Sequence, residues 1–170
     1  MGLYFPQFDK LVLMPTLTKL SPEIPDSAVG RLLTAETLWH ESDGLYNLAQ
    51  VPWNGPGTGL CMYEEPTFMW ITRAWLLEKK PALWQKFETI AVSWPEIAFE
   101  EVIWNLQLAV ALCRVRYFVV KDPLPSLDDG IQARARYWGE HYQTQNDPWK
   151  ISQYIKHAQA IPWGSAVGMV

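Results

Sequence analysis

Residues 98–120 read AFEEVIWNLQLAVALCRVRYFVV. Apolar side chains occur on every side of a helix drawn through this stretch rather than along one stripe, so such a helix has no face to give to water. It belongs at the centre of a domain, with the rest of the chain packed around it. A membrane would hide it equally well, but Asn105 and Gln107 interrupt its middle and Arg114 and Arg116 sit inside the span, leaving too short an uninterrupted apolar run. No membrane span is expected. With 170 residues, 49% of them hydrophobic, the chain is long enough to bury a sizeable core around this helix. No repeat, low-complexity tract or linker marks a second domain. The fold class is therefore read as mostly α, a single domain over residues 1–170, with 1–25 a lead-in segment and 161–170 an apolar C-terminal tail.

The covering elements follow from local chemistry. Residues 1–20 place Phe8, Leu11, Val12, Leu13 and Leu17 near helical spacing, but Pro15 removes a backbone donor, so a short kinked helix is expected. In SPEIPDS, residues 21–27, two prolines precede Asp26 and Ser27, whose side chains accept hydrogen bonds from the first free amides of a helix. A helix should start near Ser27, present Val29, Leu32, Leu33, Glu36, Thr37 and His40 on one face, and end around residues 42–44. Residues 45–63 crowd Pro52, Asn54, Gly55, Pro56, Gly57 and Gly59 together, which favours turns or a short irregular hairpin. Glu64 and Glu65 ahead of Pro66 and Thr67 suit the first turn of a helix running to about Lys79. Further helices are expected over residues 82–92, 131–143 and 148–160.

Charge and cysteine usage remove several function classes. A net charge of −4 without a local lysine or arginine cluster lacks the attraction to phosphate that nucleic-acid binding needs, so nucleic acid is not an expected partner. Cys61 and Cys113 have no metal-type spacing, and His40, His141 and His157 stand far apart in the chain without a ligand pattern. No metal and no cofactor is expected. Ser42 lacks a Gly-x-Ser-x-Gly frame, Cys61 has no identifiable base, and the glycines at 55–59 lack the Gly-Lys-Ser/Thr ending of a phosphate-binding loop. The ten tryptophans serve equally to fill a core or to stack on the apolar faces of sugars. The opening MGLYFPQFDK has no basic region ahead of an apolar stretch, so no secretory signal is expected.

Glu41 carries the chemical interest. It ends an apolar helical run, next to Trp39 and Leu38, and faces the glycine-rich crossing; burial there raises a carboxyl pKa until the group donates a proton near neutral pH. The order of features extends the pattern: Glu41-Ser42, then Gly59-Leu60-Cys61-Met62 with Pro66-Thr67, then Asn105-Leu106, then His141-Tyr142-Gln143-Thr144. Over about residues 27–155 this order resembles the lysozyme-like superfamily, specifically soluble lytic transglycosylases and their phage relatives. In that family a Glu-Ser pair ends a helix, a Gly-Leu-Met-Gln segment is followed closely by Pro and Thr, a buried helix begins with Asn-Ile, and an Ala-Tyr-Asn-Ala-Gly segment closes the site. Gly55-Pro56-Gly57-Thr58-Gly59 also looks like a variant of a Gly-Pro-Ala-Leu-Gly-like crossing of small phage proteins. Met62 stands where the family has glutamine, and Gln143 where it has asparagine.

The resemblance implies a lysozyme-like domain whose catalytic residue is Glu41 and whose substrate-binding residues are Ser42, Gly59, Leu60, Met62 and Tyr142, with Tyr142 reaching the glutamate. It implies a glycosidase-type cleavage of the MurNAc-GlcNAc link of peptidoglycan. Glu41 would protonate the glycosidic oxygen and then, as base, take the proton of the MurNAc 6-hydroxyl to give an anhydro product. Hydrolysis would instead require a second carboxylate, for which Asp43, Glu64 and Glu65 are the nearby candidates. Peptidoglycan is then the partner, and the chain is expected in a phage virion, where it acts on the host cell wall and where the apolar tail 161–170 joins other virion proteins. The competing expectation is a virion structural protein that keeps the fold and has lost the activity, as Met62 and Gln143 would suit.

Overall fold

The first helix runs through Pro15 instead of ending at it. In the computed structural model of the chain, which describes residues 3–49 and 55–163, α1 consists of Phe5–Phe8, a wider π-helical stretch Asp9–Leu13, and Met14–Leu20. The widened turns lie directly ahead of Pro15, where the loosened ladder accommodates a ring and a missing N–H that a regular α-helix would not. Phe5, Phe8, Leu13, Leu17, Leu20 and Ile24 are buried, so the lead-in segment supplies one side of the core.

Helix α2 spans Ala28–Glu41. Ser27 starts it, its Oγ accepting the Gly30 N–H at 3.1 Å, which satisfies one of the amides that a helix start leaves open. After the crossing come α3, Glu65–Met69, continued by a π-helical stretch Trp70–Leu77, and α4, Pro81–Lys86, closed by a 3-10 turn Phe87–Thr89.

Residues 98–120 do not form the one helix expected of them. They form α5, Glu101–Trp104, and α6, Leu106–Phe118, broken at Asn105. The reason is local: the Asn105 Oδ1 accepts the Leu108 N–H at 3.0 Å, and its amide nitrogen donates to the Ile90 carbonyl at 2.8 Å and to Glu101 at 2.7 Å. An asparagine that caps the following helix cannot also continue the preceding one. Glu101 is itself buried at 1% exposure and accepts from the Val92 N–H at 2.7 Å and from the Ser93 N–H at 3.1 Å and hydroxyl. Burial alone would raise its pKa, but these bonds from Ser93, Val92 and Asn105 hold it below the ordinary carboxylate value.

Helix α6 is buried from Leu108 through Val115 and again at Tyr117, the all-round burial that its composition requires. Helices α7, Gly130–His141, and α8, Pro148–Gln159, complete the fold. Helices α1 and α2 lie on α6, while α8 packs on both α2 and α7. Between α2 and α7 runs an ion pair: Arg134 donates to both oxygens of Glu36 at 2.8–3.1 Å, and the Tyr154 hydroxyl adds a third donor at 3.2 Å. Apolar residues from all eight helices enter one core cluster.

Among the described residues no helix is long and apolar enough to cross a membrane. Of the C-terminal tail, Ile161 is buried and Trp163 meets the Phe5 ring edge-on at 4.9 Å between centroids. Residues 164–170, like Pro52 and Asn54 of the crossing, lie outside the described residues.

Candidate functional site

The end of α2 is shaped by a sharp reversal. Gly44 takes φ +78° and its N–H returns to the Trp39 carbonyl at 2.8 Å, the left-handed termination that glycine adopts without steric cost. Ser42 is wholly buried: its hydroxyl donates to the Leu38 carbonyl at 2.6 Å and accepts the Leu45 N–H at 2.9 Å. The serine thus fixes the turn and leaves Glu41 as the last helical residue facing the crossing.

The crossing is an irregular hairpin rather than a sheet. It contains two isolated antiparallel bridges, between Ala49 and Thr58 and between Thr58 and Tyr63. Gly59 turns at φ +71° and packs so closely on α5 that a Cβ there would stand 2.4 Å from the Val102 carbonyl oxygen. The Tyr63 hydroxyl donates to the Leu112 carbonyl of α6 at 2.7 Å, which anchors the hairpin to the central helix. Met62, between these two anchors, is held at φ +45°.

Glu41, Met62, Glu64 and Gln143 form the shared wall of two adjoining cavities of about 300 Å³ and about 450 Å³, the larger completed by Thr67, Arg116, Tyr142 and Lys150 among others. The Trp138 indole N–H donates to Glu41 Oε1 at 3.1 Å. Burial raises the Glu41 carboxyl from an ordinary 4.5 to about 7, against the opposing pull of the Trp138 bond, the Arg116 charge, the Gln143 amide and the Lys150 charge. A carboxyl with that value exists in both protonation states near neutral pH, so it can give a proton and take one back.

The residues read from the sequence as one site are not all brought together. Glu41, Met62 and Tyr142 line the larger cavity. Ser42, Gly59 and Leu60 are buried behind it, where they form the turn, the hairpin contact and the core, and not a binding surface. The Tyr142 hydroxyl donates to the Cys61 carbonyl at 2.6 Å, while Glu41 takes hydrogen bonds from Trp138 and Gln143. Of the three candidate second carboxylates, Glu64 lines both cavities, whereas Asp43 and Glu65 line neither.

Several other groups are settled by burial. Both thiols are enclosed, and desolvation pushes Cys61 up to about 12 and Cys113 well above its ordinary value, so neither is a thiolate nucleophile at neutral pH. His40 and His157, far apart in the chain, meet in space with their Nδ1 atoms 3.1 Å apart. Burial first, and His157 second, lower His40 to about 4. Among the described residues no group of three histidine, cysteine or carboxylate side chains could hold a metal ion.

Trp138, Arg116 and Lys150 are the site residues that sequence reasoning missed. The available signal was weak: an arginine within an otherwise apolar helix calls for a polar cavity beside it, and Arg116 of α6 has one. Compared with known protein families, curated proteins and solved structures, the chain matches none of them.

Proposed function

We propose that this chain is a lysozyme-like muralytic protein that cuts the MurNAc-GlcNAc link of peptidoglycan with Glu41 as general acid and then general base, and that a phage particle delivers it to the host cell wall. The observation that carries the reading is a single carboxyl, half-buried at a helix end, raised to about 7 and placed on the wall of a polar cavity. Acid and base roles in turn require such a value. In the lytic course Glu41 gives its proton to the glycosidic oxygen as that bond breaks. The carboxylate then takes the MurNAc 6-hydroxyl proton while O6 closes on C1, which restores the acid and leaves a 1,6-anhydro end. Glu64, at the rim of the same cavity, is the residue that a hydrolytic course would use on water.

A second reading, a virion structural protein that retains the fold without cleavage, is favoured by Met62, which presents a thioether to the cavity where the resemblance has a glutamine amide. Incubation of purified peptidoglycan with the wild-type chain and with Glu41→Gln, followed by mass analysis of the released saccharides, separates the two. The proposal expects anhydro-ended products from the wild type and none from the variant, because the amide keeps the shape but has no proton to give. Equal cleavage by both chains would remove Glu41 from the chemistry, and no cleavage by either would favour the structural reading.

A further inference from the structure

Two cations stand on the wall of the larger cavity and act on the Glu41 carboxyl by charge alone, with no carboxylate of the described residues in direct contact. Arg116 comes from the central helix α6 and Lys150 from the first turns of α8. Both are half-buried. The Arg116 guanidinium lies 4.3 Å from the Tyr142 ring centroid and donates to the Tyr142 carbonyl at 2.5 Å. Lys150 Nζ donates to Gln143 Oε1 at 3.0 Å and to Gln145 Oε1 at 3.2 Å. These partners are neutral: among the described residues, no Asp or Glu oxygen lies within 4.0 Å of either cation. A guanidinium has five N–H donors and an ammonium three, so each cation is held in place while donors remain over.

The charge balance of the cavity points the same way. Its carboxylates are Glu41 and the exposed Glu64. When Glu41 is in its acid form, ready to react, two cations face one carboxylate. The chain as a whole carries −4, so this excess of positive charge belongs to the cavity and not to the general surface. Partly desolvated cations whose hydrogen-bond partners are neutral amides and carbonyls are a receptor for an anionic oxygen pair when Glu41 carries its proton.

We infer that Lys150 and Arg116 form a carboxylate-binding subsite, and that the cavity selects acidic saccharides over neutral ones. The inference rests on the proposed saccharide-cleaving function and adds the substrate class to it. In peptidoglycan the carboxylate has two sources, the lactyl group of a peptide-free muramyl unit or the free carboxyls of a stem peptide. The neighbouring amides and hydroxyls of Gln143, Gln145, Thr144 and Thr67 suit the hydroxyl and N-acetyl groups of the same sugar chain.

The test is calorimetric titration of the full chain carrying Glu41→Gln, which prevents turnover, with three ligands: a peptide-free GlcNAc-MurNAc tetrasaccharide, the same compound with its lactyl carboxylates converted to methyl amides, and a tetrasaccharide bearing stem peptides. A charge-assisted contact of this kind corresponds to about a tenfold difference in Kd between acid and amide at low salt, shrinking as salt is added. Adding Lys150→Met should remove most of that difference, weakening the acid far more than the methyl amide. Adding Lys150→Arg should keep it. A circular-dichroism spectrum and urea transition matching the parent show that Lys150→Met is folded. The tighter of the two acidic ligands identifies the source of the carboxylate. Equal affinity for acid and amide, insensitive to Lys150→Met, would overturn the subsite and leave the cleavage reading standing. Failure to bind any of the three would overturn both.

Discussion

Replacing Glu41 by Gln should stabilise the fold, and only above a definite pH. The carboxyl rises from 4.5 to about 7 on folding because burial disfavours its charge, and each pH unit between those values is worth about 1.4 kcal/mol. The sign follows from proton counts. Between the two values the folded chain holds a proton on Glu41 that the unfolded chain has lost, so stability falls as pH rises through this window and stays low above it. The full cost is about 3 kcal/mol, and water entering the cavity brings it toward about 1–2 kcal/mol. Glutamine keeps the acceptor for the Trp138 indole and never ionises, so it escapes this cost. Urea unfolding of wild type and variant at intervals from pH 4 to pH 8 gives the difference directly. It should be near zero at pH 4, climb through pH 5 and 6, and level off above 7 with the variant the more stable. A flat difference across the range would refute the claim that Glu41 is a desolvated acid, and with it the basis for assigning Glu41 a catalytic role.

His40 acts in the opposite sense. Its pKa falls from 6.5 to about 4 on folding, so it costs stability as pH drops below 6.5, again by up to about 3 kcal/mol. Against wild type, His40→Phe should therefore gain in relative stability on acidification from pH 7 to pH 4, read by the same urea curves; a pH-independent difference would contradict the buried-histidine account. Arg134→Met should destabilise the chain by about 3–5 kcal/mol because it leaves the Glu36 carboxylate buried with only the Tyr154 hydroxyl, and a fall in stability below about 1 kcal/mol would show that water reaches this pair.

Helix starts were legible because they depend on neighbouring residues. Ser27 caps α2, Pro81 opens α4 and Pro148 opens α8, as local chemistry predicts. The mostly α class followed from the same signals. The apolar pattern on either side of Asn105 reads as one continuous helix, and only the resemblance put a helix start at Asn105-Leu106; the Ile90 carbonyl and the Glu101 carboxylate, supplied by tertiary packing, reveal why the side chain prefers to cap. Glu41 stood out by its place at a helix end before a glycine-rich crossing. Its partner Trp138 lies 97 residues away and His157 meets His40 across 117, separations that no periodicity encodes. The Tyr142 hydroxyl was assigned by resemblance, and a buried hydroxyl must find a hydrogen-bond acceptor, here the Cys61 carbonyl.

That acceptor ties the cavity wall to the hairpin. A proton-transferring carboxyl must be dry enough to keep its proton at neutral pH and open enough to touch a ligand, and the two demands conflict unless the surrounding groups stay fixed. Here three wall residues are tied to other elements, Tyr142 to Cys61, Arg116 to the Tyr142 carbonyl and Glu41 to Trp138 on α7, and Tyr63 ties the hairpin behind the wall to α6. Helix α2 brings the acid, the hairpin brings Met62 and Glu64, α6 brings Arg116, and the segment from α7 to α8 brings Tyr142 to Lys150. Movement of any one of them would change the water around Glu41. The buried Glu36–Arg134 pair, with Tyr154 as third donor, joins α2, α7 and α8, so a charge pair of little intrinsic stabilising value still ties the helix that carries the acid to the helix that carries its indole partner.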